Sequence, residues 1–257
     1  MSLFKEKIKR VLRQITPPIV WDASKKLLRR AANGKELATE RKYYGLLELD
    51  KKLEQFLDYD NGFFIEVGGW DGVTFSNTLY FERFRNWRGV LIEPAPNEFL
   101  ACKKNRPNAQ VFCFACVPFG YPDKFVSMSY CASMSCAHSS EAAPSMLENM
   151  DQHLESGEKF LSVDQQLFEF GALAKPLSQI LSENEIRNGI DLLVLDVEGF
   201  ELNVLQGIDF EIHAPKFICV EIRRLEPIKE FLDSKGYRIV SRLTDYGDNQ
   251  DYLFSRS

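Results

Sequence analysis

Two short stretches of this chain carry residue types at spacings that could do chemistry. The first is Glu66-Val67-Gly68-Gly69-Trp70-Asp71-Gly72, which ends the apolar run Phe63-Phe64-Ile65. Glycines placed directly after a short strand let a ligand approach the backbone. The free N–H groups of a following helix then face any anionic group held there. The second is Asp196-Val197-Glu198-Gly199-Phe200-Glu201, which ends the run Leu192-Leu193-Val194-Leu195. Two carboxylates at a strand end that lines a cleft are costly unless they bind or react. Asp196 and Glu198 are therefore candidate catalytic acids, with His138 as an alternative base. Together with Glu221, at the end of a later apolar run, they are also a candidate set for a divalent cation such as Mg²⁺. Glu201 falls in the first turn of a helix, where a carboxylate suits the dipole and can cap it.

These residues need elements to position them. Phe63–Val67 has the apolar character of a buried parallel strand, and the pattern after it predicts a helix from near Thr74 towards Phe84. Gly89–Glu93 reads as a second strand closed by an acid and Pro94. An acid there is where doubly wound α/β folds grip ribose hydroxyls. Helices are expected over 41–57, 96–105, 176–186 and 227–235. Further strands are expected over 109–117, 125–130, 191–196, 216–222, 237–242 and 251–255. The end of the third strand, with Cys116, would lie beside a bound base. Residues 131–160 lose periodicity, are rich in Ser, Ala and Met, and include His138 and His153; a loop this long is expected to act as a lid and substrate segment. His213 reads as a solvated loop histidine.

Composition narrows the class. Over 257 residues, 45% hydrophobic and 27% charged, the chain suits one large α/β domain with an appendage. It has no eighteen-residue apolar run and no secretory core, so the six cysteines are expected to be reduced in a cytoplasmic setting. Cys113 and Cys116 have the spacing of zinc ligands, but Cys113 sits inside an apolar run and Cys131 and Cys136 are too far apart to complete a zinc template. Residues 1–35 hold ten Lys or Arg against two acids, a net of +8, which leaves −13 for the rest of the −5 total. This basic arm, residues 1–40, has amphipathic helical periodicity broken at Pro17-Pro18. It is read either as packed on its own domain or as resting on anionic headgroups at the inner face of a membrane. Nucleic acid is not expected as a partner, because the acidic remainder would repel phosphates.

The stretches FFIEVGGWDGVTFSNT, GVLIEPAPNEF and IDLLVLDVEGFELNVLQG, followed by FICVEI, resemble the FkbM-type family of class I S-adenosylmethionine-dependent methyltransferases. The likeness spans about residues 45–222, and Gly69 stands where the family usually has Ala. It implies a Rossmann-like, doubly wound, seven-stranded, mostly parallel sheet with its last strand antiparallel, over residues 41–257. It also implies methyl transfer to a hydroxyl, often of a sugar or glycan, as in surface polysaccharide biosynthesis. Carried over residue by residue, Glu66, Gly68, Asp71 and Gly72 would form the loop at the methionine end of the cofactor, Glu93 would meet the ribose, and Asp196 with Glu198 would be the acid cluster. Gly69, Trp70, Ser76, Asn77, Pro94, Cys116 and Asp196 are further candidates for contact with the cofactor. A nicotinamide or sugar-nucleotide enzyme on the same fold is disfavoured because position 67 lacks the first glycine of a dinucleotide fingerprint. A non-catalytic module recruited to membranes by the arm is disfavoured by the intact acids and glycines.

Overall fold

The computed structural model describes residues 42–138, 154–155, 157–161, 165–186, 189–247 and 249–256. The basic arm, most of the expected lid and His153 lie outside the described residues. The strands in chain order are β1 (Phe63–Val67), β2 (Arg88–Ile92), β3 (Gln110–Phe112), β4 (Ala115–Cys116), β5 (Phe125–Tyr130), β6 (Cys136–Ala137), β7 (Phe168–Lys175), β8 (Leu192–Leu195), β9 (Phe217–Ile222), β10 (Tyr237–Arg242) and β11 (Gln250–Arg256). The helices are α1 (Leu49–Glu54), α2 (Leu79–Phe84), α3 (Pro96–Asn105), α4 (Leu177–Glu183), α5 (Glu201–Gln206) and α6 (Leu225–Ser234).

Seven strands form one sheet in the order β10-β11-β9-β8-β1-β2-β3. All neighbours are parallel except β11, which runs antiparallel to both β9 and β10. This is the expected doubly wound sheet with its last strand reversed. The chain order switches direction between β1 and β8, which places the ends of both strands on one crevice. Alternation along β1 divides its side chains between two layers. Ile65 and Val67 enter a core cluster with Leu193, Leu195, Val204, Leu205 and Ile218. Phe64 points the other way, into a cluster with Leu53, Phe81, Trp87 and Leu91.

Several expectations are corrected. The third strand is broken: β3 closes the large sheet, whereas β4 joins a second sheet of order β4-β7-β5-β6. β5 is therefore an inner strand of that small sheet, paired with β7 and β6, and not an edge of the large one. β7 itself was not anticipated. The helix expected from Thr74 begins only at Leu79, because Ser76, Asn77 and Thr78 give their donors to Glu66. The first helix is also shortened, to Leu49–Glu54, and is entered through a 3₁₀ turn in which Leu47 and Glu48 have positive φ. His213 is buried, not solvated: Nδ1 lies 2.8 Å from Ser178 Oγ and Nε2 lies 2.9 Å from the Ile186 carbonyl oxygen.

Candidate functional site

Glu66 alternates with Ile65 and Val67 and so points to the same side of the sheet as Phe64, where its buried carboxylate is fully engaged. The N–H of Asn77 donates to Oε1 at 2.8 Å; the hydroxyls of Ser76 and Thr78 donate to Oε2 at 3.0 and 2.5 Å. Arg106, completely buried, stands 3.7 Å from the same carboxylate and 2.6 Å from Glu82. Its guanidinium also donates to the Gly72 carbonyl, Ser76 Oγ and Thr78 Oγ1 at 3.0–3.1 Å. A buried ion pair of this kind fixes the path of residues 72–78. No periodicity marks Arg106 as an interior residue, and it was missed.

Gly68 has φ +90°, and a Cβ there would lie 1.9 Å from the carbonyl oxygen of Asp196. Only glycine allows β1 and β8 to end this close together. The N–H of Trp70 donates to Glu93 Oε2 and the N–H of Ala95 to Glu93 Oε1, both at 2.9 Å. Glu93 thus joins the glycine turn to the end of β2, and each carboxylate oxygen keeps a lone pair. Burial raises its pKa to about 7. Asp71 turns back on its own loop, accepting from the N–H groups of Val73 and Thr74 at 2.8 and 2.7 Å.

A polar cavity of about 100 Å³ is lined by Glu66, Gly68, Gly69, Trp70, Thr74–Asn77, Glu93 and Pro94 on one side. Met128, Ala132, Ser133, Ser135, Asp196, Val197 and Glu198 complete it. An apolar lobe shares Pro94, Met128 and Val197 with it and adds Val67, Phe114, Cys116, Val117 and Phe200. The structure therefore gathers Glu66, Gly68, Gly69, Trp70, Ser76, Asn77, Glu93, Pro94, Asp196 and Glu198 on one cavity, with Cys116 on its apolar extension. Asp71 and Gly72 shape the turn without lining it. His138 is elsewhere: its Nε2 meets Ser129 Oγ at 2.5 Å, and its N–H donates to the Ser127 carbonyl. Phe75, Met128 and Ser133 line the cavity but were missed: Phe75 and Ser133 sit in irregular segments that leave no periodic trace, and Met128, on the expected strand β5, carries no chemical signal of a site.

The acids at the end of β8 and β9 are unequal. One ligand atom each of Asp196, Glu198 and Glu221 lie within 4.8 Å of one another. Glu198 is paired with Arg223 at 2.6 Å. Glu221 accepts from the Tyr246 hydroxyl and from Asn249 Nδ2. No side-chain partner of Asp196 occurs among the described residues, and Asp196 is exposed to the cleft. Loss of solvent around it, then the charges of Glu221, Glu198, Asp251 and Glu201, hold its carboxyl well above the usual range; the open edge screens part of that effect. Glu198 is raised to about 8 by burial first and by Glu221 next, with Arg223 opposing. Glu201 does not cap its helix as expected; it turns back on the loop before it, accepting from the N–H groups of Gly199 and Val197 at 3.0 and 3.3 Å. One oxygen of Glu198 is taken by the Arg223 guanidinium and one of Glu221 by two donors, so a divalent cation here would share its ligands with a positive charge.

No curated protein matches the chain. Among solved structures, similarity is found to a ribosomal protein L11 methylase from Lactobacillus delbrueckii subsp. bulgaricus, at 10% identity, covering 82% of this chain and 78% of that one, with a TM-score of 0.44. It is also found to a precorrin-6y C5,15-methyltransferase from Geobacter metallireducens GS-15, at 12% identity, covering 82% and 87%, with a TM-score of 0.41. A TehB-like SAM-dependent methyltransferase from Corynebacterium glutamicum matches at 9% identity over 89% and 97%, with a TM-score of 0.42. The decisive match is to a protein family, the methyltransferase FkbM domain, over residues 66–246. That span runs from the glycine turn past the acid cluster to Tyr246, and the chain belongs to this family of S-adenosylmethionine-dependent methyltransferases.

Proposed function

We propose that the chain transfers a methyl group to a hydroxyl oxygen of a sugar or glycan, with Asp196 as the base. The observation that carries this reading is Asp196 itself. It is the acid of the cluster with no side-chain partner among the described residues, and it faces the cavity that the glycine turn also lines. S-adenosylmethionine, when bound, supplies an electrophilic methyl carbon on a sulfonium sulfur.

The two-lobed cavity suits that amphipathic cofactor. The apolar lobe with Cys116 and Phe114 fits an adenine. Glu93, with a free lone pair on each oxygen, fits the ribose diol. The Gly68-Gly69 backbone leaves room at the amino-acid end. On this reading Glu66 and Arg106 act at one remove, by holding residues 72–78 in place. A sugar hydroxyl is a poor nucleophile at neutral pH, so its proton must pass to a nearby base as the oxygen attacks. A carboxylate whose pKa is raised is a stronger base than an ordinary one, and Asp196 takes that proton. Arg223 holds Glu198 and the Tyr246–Asn249 pair holds Glu221, so these acids set the local charge and Asp196 is left to react. The basic residues 1–35, which lie outside the described residues, form on this reading an arm on anionic lipid at the inner face of the membrane. Loss of cosedimentation with phosphatidylglycerol vesicles on their removal tests it.

The function is tested by a radiolabelled methyl-transfer screen against free and lipid-linked glycans, with mass spectrometry of the product. A methyl ether on a sugar oxygen is expected, and it should disappear with Asp196→Asn. Product on a nitrogen or carbon acceptor would overturn the assignment.

A further inference from the structure

We propose that Trp70 and Phe75 form an aromatic wall that takes the C–H face of a sugar ring in the cavity that Asp196 also lines. The inference rests on the methyltransferase reading above and names what holds its acceptor. Both residues line the polar cavity, and both sit in the left-handed backbone region, with φ +41° and +58°. That region is rare for residues with bulky side chains, and such strain persists only where the surroundings over-determine it. They do so here. The N–H of Trp70 is held by Glu93, Asp71 pins Val73 and Thr74, and the backbone of Phe75 bridges to Gly45.

Core packing does not offset the strain. Neither ring belongs to any of the three apolar clusters among the described residues, and both are half-buried. The two rings instead lie side by side, with centroids 6.1 Å apart and planes at 32°. Phe160 meets Phe75 edge-on at 6.3 Å and supports it from behind. The cavity also carries the Ser133 hydroxyl and the carboxylates of Asp196 and Glu198.

A ligand for such a surface needs one apolar face and a rim of hydroxyls. A pyranose has both: its axial C–H groups cover an aromatic ring, while its hydroxyls donate to carboxylates. A wholly apolar acceptor would leave the carboxylates desolvated and unpaired. A phosphorylated group placed at the acids would be repelled by them.

The test uses the full chain with S-adenosylhomocysteine present. A mixture of the methyl glycosides of glucose, galactose, mannose, rhamnose, fucose and xylose is read by saturation-transfer difference NMR. Saturation is expected on ring C–H protons of at least one glycoside. Phe75→Leu, which keeps apolar volume but removes the ring, should weaken that signal about five-fold. Trp70→Phe, which keeps a ring, should retain most of it, and calorimetry on each variant sets the S-adenosylhomocysteine concentration so that the glycoside signals are compared at equal cofactor occupancy. Should Phe75→Leu fail to fold, Phe75→Met is read in its place with the same expectation for the glycoside signal. S-adenosylhomocysteine binding with no glycoside signal overturns the wall alone, as does a signal indifferent to loss of a ring. No binding of S-adenosylhomocysteine by the folded parent removes the methyltransferase reading, and this proposal with it.

Discussion

Replacing Asp196 with Asn should make the protein more stable at alkaline pH while it destroys turnover. Asp196, Glu198 and Glu221 have ligand atoms within 4.8 Å of one another. At that separation two full charges repel by about 3.5 kcal/mol at an effective dielectric of about 20, and by about 0.9 kcal/mol in bulk water. Asp196 opens to the cleft and Arg223 offsets Glu198, so the relief from removing one charge falls at about 1–2 kcal/mol. The sign follows from the raised pKa of Asp196. Between the ordinary carboxylate pKa and the raised one, the native state binds the proton and the unfolded state does not, so stability falls as pH rises through that window. Asparagine removes this loss. The gain should be clearly larger at about pH 8–9 than at about pH 4, where the native carboxyl keeps its proton and the unfolded one is only about half ionised. For a chain of this size about 1–2 kcal/mol corresponds to a rise in Tm of about 2–8 °C. Thermal melts of parent and variant at the two pH values measure it. A variant less stable at pH 8, or equally stabilised at both pH values, would refute the argument that these acids repel one another for the sake of function.

Other outcomes follow from the same geometry. Gly68→Ala places a methyl group 1.9 Å from the Asp196 carbonyl oxygen at φ +90°; the strain alone costs about 1–3 kcal/mol, and a melting point equal to the parent's would contradict it. Arg106→Met leaves Glu66 and Glu82 buried without their cation, and urea unfolding should show a loss of about 3–5 kcal/mol. Methyl transfer should be unchanged by EDTA, since the Arg223 guanidinium already supplies positive charge beside these acids; chelator-sensitive turnover restored by Mg²⁺ would reverse that conclusion.

Much of the sheet is legible in the sequence because its strands are continuous apolar runs with sharp ends. β1 stops at two glycines, β2 at an acid and a proline, and β8 at a pair of acids, each a distinct physical signal. α3 matches its expected span, Pro96–Asn105, because proline suits the first turn of a helix and Arg106-Pro107 cannot continue one. The segment Thr74–Thr78 misled because its polar residues satisfy Glu66 instead of helical backbone, a competition that pattern reading does not see. β7 escaped notice because Gly171 interrupts it and its exposure does not alternate cleanly. Nothing in the sequence marks Arg106 as interior, and only the acids and carbonyl oxygen converging on it explain its burial. Of the candidate site, the glycine turn and the strand-end acids were visible as motifs. Trp70 was visible inside the first motif, but its neighbour Phe75 was not, because the two rings are brought together by backbone turns and not by a repeating period.

The central claim is that the cavity between the ends of β1, β2 and β8 binds the cofactor of methyl transfer. Isothermal titration calorimetry of the folded chain with S-adenosylhomocysteine tests it most directly. The account predicts one molecule bound per chain, with affinity weakened by Glu93→Ala. An absence of binding by protein whose melting curve shows it folded, or affinity indifferent to Glu93, would contradict it.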